Sequence, residues 1–110
     1  MNPIIMKSGI AVQANRFARV CLAESIQYAK RRKAFGKPLL DQPVVRHKLG
    51  KMIKAVESTH AWIESLAYRG VLAEKEGRDP FEMMMTMGAE AGFVKIHATE
   101  TFEFCAREAA

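Results

Sequence analysis

An apolar stripe through the middle of this 110-residue chain constrains its fold more than any other feature. At alternating steps of four and three residues, the stripe contains Val45, Leu49, Met52, Val56, Thr59, Ile63, Leu66 and Gly70. This spacing is typical of the seam of a left-handed helix bundle. It predicts a long helix over residues 41–76, with Asp41 as its N-terminal cap, Pro43 in its first turn and Gly77 just beyond its end.

Two more stripes of this kind lie on either side of the first. The upstream stripe, in a helix predicted over residues 8–33, contains Ile10, Ala14, Phe17, Cys21, Ser25 and Tyr28. The downstream stripe, in a helix predicted over residues 80–110 and capped by Asp79, contains Met84, Met87, Ala91, Val94, Ala98, Thr101 or Phe102, and Cys105. No segment has the alternation of a strand. Because the links are short, the predicted fold is all-α, an up-down antiparallel bundle of three long helices.

The first helix is apolar on more than one side. Its second apolar face contains Val12, Val20, Leu22 and Ile26. Three helices cannot cover every such face, and the last helical pattern continues to the final residue without a stop signal. We therefore expect a truncated, incomplete four-helix bundle that self-associates through its uncovered apolar surface.

Composition excludes several classes of protein. The net charge of +5 permits an anionic partner, but acidic residues lie between the basic ones, which does not single out nucleic acid. No uncharged run approaches the roughly 20 apolar residues of a membrane span, and the N-terminus lacks a signal-peptide pattern. Cys21 and Cys105 have no metal-ligand spacing, so both are interpreted as small buried side chains. These features indicate a soluble intracellular protein without a metal site.

The titratable residues do not form a convincing catalytic group. The histidines His47, His60 and His97 are scattered over two helices. The pair His60 and Glu64 has the spacing of a solvated contact on one helix face. The glutamates lie mostly on polar faces, where nothing raises a carboxyl pKa toward that of a general base. We predict no catalytic residue among them.

The corner between the first two helices is the candidate binding site. A basic run from Lys30 to Lys33 ends the first helix, and Phe35 and Gly36 follow it. The Arg32 guanidinium can bind a phosphate with two parallel hydrogen bonds, and Phe35 can pack on a ring. The structural alternative is a basic helix end with an apolar contact across the turn. A helix–turn–helix DNA reader fits less well, because such motifs use short helices and a shorter turn.

At this corner the sequence resembles the C-terminal helical domain of the acyl-CoA dehydrogenases. The resemblance rests on the segment ESIQYAKRRKAFGKPLLDQPVVRHKLGKM, residues 24–52. The residues that match the family pattern are Tyr28, Ala29, Arg32, Phe35, Gly36, Leu39, Lys48, Leu49 and Met52. The segment from Ala98 to Ala110 resembles the last bundle helix before the family's Gly-Gly segment, and residues 15–29 are similar to fungal members.

The resemblance implies a function and a set of site residues. Family members bind FAD, abstract the α-proton of an acyl-CoA and pass a hydride from its β-carbon to the flavin. They are dimers or tetramers in which this domain covers the neighbour's FAD. Carried over, Arg32 contacts the FAD pyrophosphate and Phe35 packs beside the cofactor, with Ala34 and Gln42 as further contacts. Lys7 keeps a positive charge where the family has a CoA-binding arginine.

The resemblance also implies that this chain alone is inactive. Members of the family carry the catalytic glutamate either where Met6 stands here or beyond Ala110, so no catalytic residue is expected on the chain. Two other readings remain open. One is a helical self-association module without enzymatic activity, and the other is a basic nucleic-acid binder.

Overall fold

The computed structural model describes the backbone of residues 3–109 and the side chains of residues 9–79, 81–83 and 85–109. Its elements in chain order are α1 (Pro3–Arg31), β1 (Lys33–Ala34), β2 (Lys37–Pro38), a 3-10 turn (Leu39–Asp41), α2 (Pro43–Lys75) and α3 (Pro80–Ala109). The helix α2 runs antiparallel to α1 and α3, which lie side by side in parallel. The prediction of an all-α bundle of three long helices is confirmed.

The N-terminal ends of the first two helices differ from expectation. α1 begins at Pro3, earlier than residue 8, and ends at Arg31. Asp41 is not the cap of α2, since it belongs to the 3-10 turn and lies 3.9 Å from the Arg46 guanidinium. Gln42 takes the cap position instead, with φ −76° and ψ 129° and no side-chain hydrogen bond. The reason is Pro43, whose ring keeps the preceding residue extended and out of the helix.

The link between α2 and α3 follows the predicted capping chemistry. Gly77 has a φ of 69°, the left-handed conformation that commonly ends a helix. The Gly77 N–H donates to the Glu74 carbonyl, and the Arg78 N–H donates to the Ala73 carbonyl, each at 3.1 Å. Asp79 then caps α3 by accepting the Phe81 N–H at 3.1 Å. These bonds satisfy backbone groups at both helix ends.

The predicted seams of α2 and α3 form the core. Buried residues of these seams are Leu49, Met52, Val56, Thr59 and Leu66 on α2, and Met87, Ala91, Val94, Ala98, Thr101 and Cys105 on α3. The side chain of Met84 lies outside the described residues. Two apolar clusters fill the two ends of the bundle, and Thr59 and Thr101 are hydrogen-bonded between them at 3.0 Å.

The buried face of α1 lies one residue further along than predicted. The structure buries Ala11, Asn15, Ala18, Leu22 and Ala29, whereas Phe17 and Tyr28 of the predicted stripe are more than half exposed. Alanine at the contact lets α3 approach α1 closely, and the larger side chains then lie at the edges of the contact. Large apolar side chains stay exposed on both helices, as expected from the two apolar faces of α1; they include Ile10, Val12, Phe17, Phe93 and Ile96.

Candidate functional site

The corner between α1 and α2 is a β-hairpin that the sequence pattern did not predict. Its two strands have two residues each, and a two-residue turn joins them. The Arg32 N–H closes the last turn of α1 on the Tyr28 carbonyl at 2.9 Å. β1 then pairs antiparallel with β2, with Ala34 opposite Lys37. Beyond this pair, the Leu39 N–H donates to the Arg32 carbonyl at 2.8 Å. The strands are too short to show an alternating pattern, but their hydrogen bonds hold the corner in one shape.

The turn of the hairpin holds Phe35 in a strained backbone conformation. Phe35 has a φ of 55° and Gly36 a φ of 78°, and two positive values are what the tight type I′ turn requires. Glycine adopts this conformation freely, whereas a side chain with a Cβ is strained there by about 1–2 kcal/mol. The Phe35 side chain is also 97% exposed. Strained backbone conformations cluster at binding and catalytic sites, so the strain at Phe35 supports the interpretation of this turn as a binding site.

We expect Phe35→Asn to raise the free energy of unfolding by about 1 kcal/mol, because asparagine tolerates positive φ and Asn-Gly is a preferred turn pair. Urea unfolding followed by circular dichroism measures this change. Phe93→Asn is the matched control, since Phe93 is 62% exposed but lies inside α3. The control should lose a few tenths of a kcal/mol through helix propensity. Equal effects of the two variants would show that Phe35 is unstrained.

Arg32 presents its charge to solvent three residues before Phe35 in the chain. The side chains of Arg32 and of its basic neighbours Lys30, Arg31, Lys33 and Lys37 are exposed. Among the side chains that the structure describes, no carboxylate pairs with the Arg32 guanidinium. The C-terminal end of α1 carries a partial negative charge that favours cations there. The corner therefore combines an available guanidinium fork with an exposed ring.

Of the other predicted contact residues, Ala34 and Gln42 lie at this corner, and Lys7 lies far from it. Ala34 is half-buried in β1, next to Phe35, and Gln42 is half-buried after the 3-10 turn. The Gln42 side chain makes no capping hydrogen bond to α2. Lys7 lies on α1, roughly 37 Å from Arg32 at 1.5 Å per residue. The side chain of Lys7 is outside the part of the chain described.

An open groove of about 770 Å³ begins beside the corner. It lies between the C-terminal end of α1, the N-terminal end of α2 and the C-terminal end of α3. Tyr28 and Arg31 line it on α1, and Lys48 lines it on α2. The Lys48 ammonium lies 3.7 Å from the Glu108 carboxylate at its far side. The groove adds an aromatic ring and two cations to the surface that continues from the corner, together with the two carboxylates of Glu24 and Glu108.

A cluster around the single tryptophan was missed by the sequence reasoning. The Trp62 indole N–H donates to Glu90 Oε1 at 3.0 Å, and Arg69 donates to both oxygens of Glu90, at 2.8 Å for Oε2. The His97 ring lies 5.5 Å from the Trp62 ring. Two turns of α2 separate Trp62 from Arg69, so the sequence alone indicates that both lie on the same face of this helix. Their partner Glu90 belongs to another helix, and sequence spacing does not reveal that contact.

This cluster stabilises the contact between α2 and α3, and its carboxylate, that of Glu90, does not have the properties of a catalytic base. The hydrogen bonds from Arg69, and then that from Trp62, hold the pKa of Glu90 below its usual value. A general base working near neutral pH needs the opposite shift. The other paired candidate is also structural, since His60 and Glu64 are 3.0 Å apart and both exposed, as predicted. Within the described residues, no group of three or more His, Cys, Asp and Glu side chains could hold a metal ion.

Replacing Glu90 by glutamine should lower the free energy of unfolding by about 1–2 kcal/mol at neutral pH, since the charged bonds to Arg69 are lost. Because the pKa of Glu90 is lower in the folded state, its contribution is present above the unfolded pKa of about 4.3. That contribution is lost as the pH falls through the folded pKa. The difference between wild type and Glu90→Gln should therefore be constant above about pH 5 and shrink in more acidic solution.

Trp62 fluorescence in urea titrations at several pH values measures this difference, because Trp62 is the only tryptophan and contacts Glu90 directly. Glu74→Gln is the matched control, since Glu74 is exposed on α2. It should change the unfolding free energy by less than about 0.5 kcal/mol. A gap between wild type and Glu90→Gln that stays constant into acid would contradict the assigned pKa direction.

Comparison with known proteins places this geometry in a family context. The sequence model described as "Acyl-CoA dehydrogenase, C-terminal domain" matches residues 6–110. The chain is 37% identical over 103 residues to "Acyl-CoA dehydrogenase AFT10-1" of Alternaria alternata, covering 93% of this chain and 23% of the relative. It is 35% identical over 92 residues to the human "Short-chain specific acyl-CoA dehydrogenase, mitochondrial", covering 84% of this chain and 20% of the relative.

A solved structure has the same fold. It is the crystal structure of a probable acyl-CoA dehydrogenase from Mycobacterium abscessus, with a TM-score of 0.82 and 27% sequence identity. The match covers 98% of this chain and 26% of that one. The chain thus spans about a quarter of the length of these proteins or less. None of the helices, over the residues described, has a stretch long and apolar enough to cross a membrane.

Proposed function

Because this chain belongs to the acyl-CoA dehydrogenase family, through that family's C-terminal domain, we propose that it forms the cofactor-contacting corner of an FAD-dependent acyl-CoA dehydrogenase. In this proposal the complete enzyme removes two hydrogens across the α,β-bond of an acyl-CoA thioester. The observation that supports the role most directly is Phe35, an aromatic residue in a strained turn that is 97% exposed and follows the exposed Arg32 by three residues.

The chemistry of the corner fits FAD. The Arg32 guanidinium can bind the pyrophosphate with paired hydrogen bonds, and Phe35 can pack against the cofactor. Ala34 leaves room beside Phe35, and the Gln42 amide can donate or accept a hydrogen bond. When bound, FAD would supply the acceptor for a hydride from the β-carbon of the substrate. This chain's residues bind and orient the cofactor from one side.

Proton abstraction belongs to other residues of the enzyme in this proposal. The lowered pKa of Glu90 makes that carboxylate a poor proton acceptor near neutral pH. Lys7 contributes positive charge toward the CoA portion of the substrate, at the opposite end of α1 from Arg32. The chain by itself is therefore inactive, and the acyl-CoA is bound mainly by other domains.

The exposed apolar surface supports an oligomeric assembly. Phe17 packs on Phe102 of α3, with ring centroids 5.8 Å apart, but stays more than half exposed. Ile10 on α1 and Phe93 on α3 are also exposed. Surfaces of this kind usually mark protein contacts. We propose that this face takes part in a dimer or tetramer, in which the corner of one subunit contacts the FAD of its neighbour.

The test is the response of the purified chain to FAD. Wild type, Arg32→Ala and Arg16→Ala are compared by sedimentation velocity and thermal melting across an FAD titration. Arg16 is the matched control because it is exposed on α1, away from the corner. Loss of a charged hydrogen bond of about 1.4 kcal/mol should weaken FAD binding about tenfold in Arg32→Ala. Arg16→Ala should bind FAD as wild type does.

Other outcomes support the alternative readings. Equal weakening in both variants would show attraction to overall charge and not a site. Assembly that is indifferent to FAD in all three proteins would favour a self-association module without a cofactor. DNA binding with a steep salt dependence would favour a nucleic-acid binder.

A further inference from the structure

The two cysteines of the chain lie in one cluster, although they are far apart in sequence. Cys105 on α3 is fully buried, among residues that include Ala18 and Leu22 of α1. Cys21 on α1 packs against the same cluster and keeps part of its surface accessible. Both thiols are free. The bundle thus brings together one accessible and one buried thiol.

The register of α1 and α3 places these two thiols at the same level. The rings of Phe17 and Phe102 are in contact across the two helices, with centroids 5.8 Å apart. The helices run parallel, so the next turn of each brings Cys21 opposite Cys105. Burial raises the pKa of the Cys105 thiol, and the charge of the nearby Cys21 raises it further. The second effect is expected only where two thiols are close.

Small buried side chains between α1 and α3 permit the close approach that a disulfide needs. Ala11 and Ala18 of α1 and Ala98 of α3 are fully buried. Helices that meet through small side chains lie about 8 Å apart, at the lower end of the usual range. Since each Cα lies about 2.3 Å from its helix axis, Cα atoms on the line between the two axes would be about 3.4 Å apart, and Cα atoms turned somewhat away from that line reach the roughly 4.4–6.8 Å separation that a disulfide spans.

We propose that Cys21 and Cys105 form a thiol–disulfide pair that links α1 to α3 when the chain meets a low-molecular-weight disulfide such as oxidised glutathione. The Cys21 thiolate attacks one sulfur of glutathione disulfide, which forms a mixed disulfide and releases one glutathione thiolate. The Cys105 thiolate then attacks Cys21 Sγ and releases the second glutathione. The protein loses two electrons and two protons, and the small disulfide gains them as two thiols.

The order of the two steps follows from exposure. An oxidant in solution reaches Cys21, whereas Cys105 is covered on all sides. The raised pKa of the Cys105 thiol makes it a slow nucleophile toward external reagents. Its position next to Cys21 offsets this slowness, because its second reaction occurs within the chain. Cys21 is therefore the entry point, and Cys105 is the resolving thiol.

The test treats the reduced, folded 110-residue chain with oxidised glutathione, then alkylates the remaining thiols and measures the intact mass. Cys21→Ala and Cys105→Ala are the matched variants, because alanine suits the packing and circular dichroism checks their folding. The mass of the wild-type chain should fall by that of two hydrogen atoms, without a link to a second chain. Neither thiol should then react with the alkylating reagent. Cys105→Ala should retain one glutathione on Cys21, and Cys21→Ala should react slowly or not at all.

Repeating the reaction in urea separates a folded pair from chance pairing. Closure in wild type should be slower in the unfolded chain, since the helices no longer hold the thiols together. Stable glutathionylation of wild type without closure would overturn the proposal, and so would links formed only between chains. Equal closure rates in the folded and unfolded chain would also overturn it, because the packing of α1 on α3 would then play no part.

Discussion

Met52→Ala is expected to lower the free energy of unfolding by about 2–5 kcal/mol, the usual cost of removing a large buried aliphatic side chain. Met52 is 1% exposed and is one of the largest fully buried side chains of the described core. It lies on the α2 seam, in the cluster with Leu22 of α1 and Cys105 of α3. Its removal leaves a cavity in a cluster to which all three helices contribute, and rigid helices close only partly around such a cavity.

The total stability of a domain this size is about 5–15 kcal/mol, so the variant should unfold at much lower urea concentration. Trp62 lies in the other cluster of the bundle and reports whether the loss spreads across the whole structure. Met85→Ala is the matched control, because Met85 is 66% exposed on α3. The control should change stability by less than about 0.5 kcal/mol. Similar losses in the two variants would contradict the assignment of the core.

Ala98→Leu should lower the free energy of unfolding by about 2–3 kcal/mol for the opposite reason, overpacking. Ala98 is fully buried on α3, in the cluster that contains Ala11 of α1 and Leu66 of α2. A leucine there must push α1 away from α3 or take a strained rotamer. Leucine is nearly as good a helix former as alanine, so the effect measures packing and not helix propensity.

The control for this substitution is Ala89→Leu, since Ala89 is exposed on the same helix. Urea unfolding by circular dichroism should show a change of less than about 0.5 kcal/mol in the control. If Ala98→Leu is as stable as Ala89→Leu, the two helices do not meet through small side chains. That result would also remove one support for the cysteine pair, which depends on the same close approach.

The helices and their ends were predictable because they depend on neighbouring residues. The seam of α2 faces the core as predicted from its four-three spacing, with Val45, Ile63 and Gly70 half-buried and its other residues buried, since residues at those steps lie on one face of any helix. Gly77 and Asp79 end and begin helices through their own local hydrogen bonds. Asp41 was wrongly assigned as a cap because a second local effect, the proline at position 43, outweighed its capping preference.

The buried face of α1 could not be chosen from the sequence. α1 has more than one apolar face, and the pattern favoured the side of Phe17 and Tyr28 with the larger residues. The structure buries the alanine side, because dense packing against α3 favours close approach over the size of individual side chains. Such a preference depends on the partner helix and is absent from the spacing along α1.

At the candidate site, too, some features could be predicted from the sequence and others depend on contacts between distant segments. The basic run and the Phe35–Gly36 pair identified the corner, because charge and residue type are properties of the sequence. The positive φ of Phe35 depends on the pairing of β1 with β2, which fixes the turn. The bonds of Glu90 to Trp62 and Arg69, and the approach of Cys21 to Cys105, join different helices.

The helix periods, the turn at Gly77 and the chemical character of the corner can be read from the sequence. These follow from interactions within a few residues, whose free energies depend little on the rest of the chain. The buried face of α1, the conformation of Phe35 and the side chains that meet across α2 and α3 are set by the folded structure as a whole. Those outcomes depend on contacts between distant segments, and such contacts are selected by packing the three helices together.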